Sequence, residues 1–155
     1  MTKISKIQKH RRARELALQV CYLFEVRRIE EPEKVAELFE IFLQQNPESD
    51  EYILAYAREL INGITENRFE IDGLIRMNMT GWRPERMGTI DRAVVYIALY
   101  ESVVGHKVDV PVAISEAVEL AKIFGSDESA RFVNGVLGKI VRAVENGINI
   151  EYGDT

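Results

Sequence analysis

The chain has 155 residues, 46% of them hydrophobic and 29% charged, which suits one ordinary globular domain with a real core and no need of staples. Its longest apolar run, Ala93 to Tyr100, falls well short of the roughly 20 residues that cross a bilayer. No charged-then-apolar leader opens the chain, and one cysteine, Cys21, excludes an internal disulfide or a cysteine-based zinc cage, so the expected setting is a reducing cytoplasm. The net charge of −5 hides an asymmetry, because residues 1 to 14 hold Lys3, Lys6, Lys9, Arg11, Arg12 and Arg14 with no acid. A basic arm on an acidic body suits polyanion binding by one end. A solvated, frayed terminus explains the same charges.

The first predicted helix begins inside this arm and runs through Ala13, Leu16, Ala17, Val20 and Phe24 to about Arg28. Val35, Leu38, Phe39 and Phe42 predict a shorter helix over 33 to 43, and Ile53, Leu54, Ala57, Leu60, Ile61 and Ile64 another over 50 to 64. Between 67 and 80, helix and irregular structure compete. From Pro84 to Val104 the run Ala93–Tyr100 is apolar on all sides and predicts a central buried helix rather than a strand. Ala113, Ala117, Leu120, Ala121 and Phe124 follow Pro111 as an amphipathic helix stopped by Gly125. Ser126 and Asp127 then cap a last helix, whose Val133, Val136, Leu137, Ile140, Val141 and Val144 form one stripe up to Asn146-Gly147. The fold class is all-α, with a helical hairpin at its C-terminal end.

Chemistry is sparse. The two histidines, His10 and His106, offer neither metal-ligand spacing nor a catalytic triad, and there is no nucleophile elbow, P-loop or dinucleotide fingerprint. The glycines of Gly135-Val136-Leu137-Gly138 sit in mid-helix, where close helix packing is the plainer reading than a phosphate cradle. Cys21 reads as a small buried hydrophobe, Trp82 as a hydrophobic plug, and the glycosylation sequon at Asn78 as chance. On the first helix, Arg12, Glu15, Gln19 and Tyr22 share a face, so a guanidinium, an amide and a phenol line up. These groups suit single-stranded RNA, although an ordinary polar face would look the same. Phe132, beside Arg131, reads either as a base-stacking ring or as an edge of the core.

The stretches Arg11-Arg-Ala-Arg-Glu-Leu-Ala-Leu-Gln-Val-Cys-Tyr22, Ile90-Asp-Arg-Ala93, Ile97-Ala-Leu-Tyr-Glu101, Val110-Pro-Val-Ala-Ile-Ser-Glu-Ala-Val-Glu-Leu-Ala-Lys122 and Phe132-Val-Asn-Gly-Val-Leu137 resemble the bacterial NusB family of transcription antitermination factors. The resemblance covers the first helix and nearly all of residues 85 to 140. It implies two packed helical subdomains with about seven helices in all, the first subdomain three-helical: an N-terminal one over 1–80, a C-terminal one over 81–147, and a tail over 148–155. It further implies binding of boxA RNA in nascent ribosomal transcripts together with the ribosomal protein NusE, within an RNA polymerase elongation complex that also holds other Nus factors. Enzymatic activity, cofactors, metals and membrane contact are not expected, and a homodimer that buries the arginine-rich helix, with Leu18 and Tyr22 on its surface, stays open.

By the same resemblance the RNA contacts are Lys9, Arg11, Arg12, Arg14, Gln19, Tyr22, Lys122, Glu128 and Phe132, and the protein-partner contacts are Tyr22 and Asp91. Glu128 stands where aspartate is expected in many relatives. Residues 27 to 50 and the acidic tail match no motif. Two other classes compete. An RNA methyltransferase would carry this helical domain beside a nucleotide-binding domain for which the length leaves no room, and a helical adaptor would never touch RNA.

Overall fold

The computed structural model describes residues 4–79 and 87–146. Lys3, Trp82 with its turn, and the acidic tail lie outside the described residues. The chain divides into two compact units, Met1–Glu66 and Asn67–Thr155. Every regular element among the described residues is helical.

The first unit holds α1 (Lys6–Val26), α2 (Pro32–Gln45) and α3 (Glu51–Glu66), with α1 packed on α3 and α2 touching both. Each helix starts for a local reason. Ser5 opens α1 with a capping box, its hydroxyl accepting from the Gln8 backbone N–H at 3.1 Å while its own N–H donates to the Gln8 side chain at 2.8 Å. Pro32 sits in the first turn of α2, where its missing N–H costs nothing. The Asp50 carboxylate accepts from the N–H groups of Tyr52 and Ile53 at the head of α3. The stripes expected from periodicity form the core here, with Leu16, Ala17, Val20, Phe24, Val35, Leu38, Phe39, Ile53, Ala57, Leu60, Ile61 and Ile64 all buried, while Phe42 and Leu54, expected in the same stripes, are only half-buried.

Helix α1 stops at Val26, two residues before the expected end. Ile29 N–H reaches back to Phe24 C=O at 2.9 Å and Arg28 N–H to Glu25 C=O at 3.2 Å. That bond pair is a Schellman stop, and it places Arg28 at φ 57, the left-handed position usually given to glycine.

The second unit begins with α4 (Arg68–Asn78), which resolves the competition over 67 to 80 in favour of a helix. It packs on α7 and is tied to α5 by the Tyr96 hydroxyl, which donates to Asp72, and by Arg68 over the Tyr96 ring at 5.7 Å. The division between units therefore falls after Glu66, upstream of the expected boundary at residue 80. Asn78 is buried and donates to the Leu74 carbonyl at 2.8 Å, which removes it as a glycan acceptor.

Helix α5 (Thr89–Leu99) is the unit's centre, with every residue from Ala93 to Leu99 buried against α6 (Val110–Phe124) and α7 (Asp127–Glu145). It continues through a π-turn over Tyr100–Val104, where the Gly105 N–H donates to the Tyr100 carbonyl at 2.6 Å. A Cβ on Gly105 would lie 2.8 Å from that carbonyl, so only glycine closes the turn. Two residues join α6 to α7, and Ser126 caps α7 by accepting from the Ser129 N–H at 3.0 Å.

Candidate nucleic-acid interface

Two surfaces carry the residues singled out above, one on each unit. On the first, the basic segment is helical from Lys6 onward, so its charges are arrayed by helix geometry. Arg11 is exposed, Arg12 and Gln19 are half-buried, and Tyr22 is 40% exposed. Arg12 reaches Glu48 Oε1 at 3.2 Å and Glu15 Oε1 at 3.5 Å, and Lys9 reaches Asp50 Oδ2 at 3.0 Å. Its hydrogen bond to Lys9, aided by the α3 backbone N–H groups, holds the Asp50 carboxyl below its ordinary value. These pairs all keep some contact with solvent and are weakly held, so exchanging a carboxylate for a phosphate costs little.

Beside these cations lies an aromatic group that motif reading passes over. The ammonium groups of Lys6 and Lys9 stand 5.7 and 5.9 Å from the centre of the Tyr52 ring. The Tyr52 hydroxyl shares a 2.8 Å hydrogen bond with Nε2 of His10, whose ring packs 4.7 Å from that of Tyr56. Tyr52 and Tyr56 are four residues apart and off the apolar stripe of α3, which is the one sequence signal they give. Their meeting with the basic arm is tertiary.

Two expectations for α1 change. Arg14 is 3% exposed, because it shares a helix face with Leu18 and Cys21, both fully buried, so its guanidinium is not offered to the surface. Leu18, expected on that surface, is part of the core.

On the second unit, Asp91 lies in the first turn of α5 and Glu128 in the first turn of α7, and the fold brings these turns together. Burial pushes the Asp91 carboxyl above its ordinary value; a hydrogen bond with Ser129 opposes that, and the like charge of Glu128 adds to it. Asp91 Oδ1 is buried without a hydrogen-bond partner among the described residues. Phe132, one turn beyond Glu128, is half-buried, which places it at the edge of the core with part of its ring outside. Lys122 is exposed in the last turn of α6. Among the described residues no three His, Cys, Asp or Glu side chains are grouped to hold a metal.

Each unit thus carries a polar face of its own, cationic and aromatic on the first and mixed on the second, of the kind that can hold a flexible polyanion or a protein partner. The sequence profile of the NusB family matches residues 11–142. The transcription antitermination protein NusB of Desulforudis audaxviator is 42% identical over 137 residues, covering 88% of this chain and 96% of the relative. That of Symbiobacterium thermophilum is 41% identical over 144 residues, covering 87% and 90%. Among solved structures, T. maritima NusB is 32% identical with a TM-score of 0.75, covering 92% of this chain and 93% of that one. NusB solved with NusE and double-stranded RNA shares the fold, at a TM-score of 0.77 and 23% identity over 88% of this chain and 98% of that one.

Proposed function

The chain belongs to the NusB family, and from that premise we propose that it is a transcription antitermination factor. It binds the boxA element of nascent ribosomal transcripts together with NusE and helps RNA polymerase resist termination. The observation that carries this reading is the cationic and aromatic surface where α1 meets α3, with Arg11 exposed, Arg12 half-buried and Lys6 and Lys9 over Tyr52.

Lys9, Arg11 and Arg12 hold phosphates, the Gln19 amide reads a base edge, and Tyr22 stacks on an unpaired base or on the protein partner. On the second unit Lys122, Glu128 and Phe132 are RNA contacts in their own right: the cation to a phosphate, the carboxylate to an amino or hydroxyl donor, the ring to a base. Asp91 meets NusE, whose basic character as a ribosomal protein complements the acidic body. Arg14, being buried, is left out of the contact set. The role is non-catalytic, needs no cofactor and is carried out in the cytoplasm. No described helix is long and apolar enough to cross a membrane.

The test replaces Arg11 and Arg12 together with alanine. Affinity for boxA RNA should fall at least about ten-fold, and the slope of log affinity against log salt should flatten by about 1.4, two single-strand phosphates' worth. A variant with wild-type circular dichroism that binds boxA RNA with unchanged affinity and slope would contradict the proposal.

A further inference from the structure

Helix α7 contains a glycine that its own fold does not explain. Glycine weakens a helix interior relative to alanine, and a mid-helix glycine is ordinarily kept where a Cβ would collide with something. At Gly138 a Cβ would lie 3.2 Å from the Arg142 guanidinium, the far end of a long, exposed side chain that can swing aside. Gly135 has not even that neighbour: it is exposed, and apart from its chain neighbours and the backbone of its own helix no heavy atom of the described residues lies within 4 Å of the place its Cβ would occupy. Among the described residues, the close helix packing expected for this glycine is therefore absent.

Its surroundings indicate what comes close instead. Exposed Arg131 precedes it by four residues and exposed Lys139 follows it by four, so both lie on its face, one turn to either side. Phe132, half-buried, precedes it by three on that same face, and Glu128 lies two turns back. Between Ser129 and Val144 the helix carries Arg131, Lys139 and Arg142 and no acid. A bare patch of helix backbone between two cations, with an aromatic ring at its edge, suits a thin anionic chain better than a protein helix, which would want apolar flanks.

We propose that Gly135 is the point at which the ribose–phosphate backbone of single-stranded RNA lies directly on α7, its phosphates held by Arg131 and Lys139. This rests on the RNA-binding reading above and extends the contact surface from Phe132 to the middle of α7. The absence of a Cβ lets the RNA backbone approach the helix backbone closely, as glycines do where chains meet nucleotide phosphates.

The experiment uses the full chain with Gly135→Ala and Gly135→Leu, both good helix formers, and measures thermal unfolding beside binding of fluorescein-labelled boxA RNA, with and without NusE. In the free protein the added side chain meets open space, so Tm should hold or rise by about 2–4 °C. RNA affinity should fall about five-fold or more for alanine and further for leucine, as overcrowding of a close contact requires. Wild-type RNA affinity in both variants would overturn the proposal, as would a loss confined to the NusE-containing samples, which would put a protein backbone over Gly135. A fall in Tm would also overturn it, by showing that the glycine serves the fold. A wild-type protein that fails to bind boxA RNA would remove the underlying reading, an outcome distinct from the others.

Discussion

Replacing Ser5 with alanine tests whether the basic arm is a shaped element or a loose tail. Helix α1 begins under electrostatic strain, because its first turn has no acid and Lys6 and Lys9 lie near the positive end of the helix dipole. What opposes this is the capping box, with the Ser5 hydroxyl on the Gln8 N–H at 3.1 Å and the Gln8 side chain on the Ser5 N–H at 2.8 Å. Removing a serine N-cap costs about 0.5–2 kcal/mol; both bonds here are exposed, so the lower half of that range applies, about 0.5–1 kcal/mol. That is a factor of about 2–5 in the opening of the first turn. Amide hydrogen exchange by NMR reads it directly: the Lys9 N–H, whose bond to the Ser5 carbonyl survives the substitution, should lose protection by that factor, while the Leu60 and Ile97 amides, deep in their cores, keep theirs. RNA affinity should change by less than the opening constant, because the closed turn remains the major state. Unchanged exchange at Lys9, or an equal loss throughout both units, would refute the reasoning.

Asp91→Asn should raise Tm at pH 7, since a carboxyl whose folded pKa lies above 3.8 binds its proton more tightly when folded and so weakens the fold as pH rises through that window. The gain should shrink as pH falls toward 3.8 in thermal melts, while NusE affinity drops at neutral pH; a gain that grows in acid would contradict this. Asp50→Ala should lower the denaturant midpoint at pH 7 through loss of the α3 cap. The Asp50 carboxyl lies below 3.8 in the folded state, so its contribution is present above that pH and is lost as pH falls through the folded value; a penalty unchanged at strongly acid pH would contradict it. Ile97→Ala, at a position 1% exposed in the middle of α5, should lower stability by about 2–5 kcal/mol, seen as a shifted urea midpoint with unchanged slope.

Most of the fold was legible because stripe, stop and cap coincide. Gly125-Ser126-Asp127 ends one amphipathic run and starts the next, and the α6–α7 hairpin follows from that alone. Helix α4 was not legible, since Phe69 is 91% exposed and Met77 48%, so apolar residues on its outer face blur the stripe of Ile71, Leu74 and Ile75. Its attachment to α7 moves the unit boundary and is a long-range contact that no local pattern reports. In the candidate site, helical spacing correctly placed Arg12, Gln19 and Tyr22 off the core, because α1 is regular there. Arg14, placed among the RNA contacts by the family resemblance alone, is buried, because its helix phase puts it with Leu18 and Cys21 on the inner face of α1. The seats of Lys6 and Lys9 over Tyr52 bring together residues more than forty positions apart. Only the folded chain shows them.

The most direct test of the central claim is a salt titration of binding to a short boxA RNA and to a scrambled RNA, with and without NusE. The account predicts preference for boxA, strengthened by NusE, with log affinity falling against log salt by about 0.7 for each phosphate held. Equal, weak binding to both RNAs in both conditions, or affinity indifferent to salt, would contradict it and leave the NusB likeness describing the fold without the function.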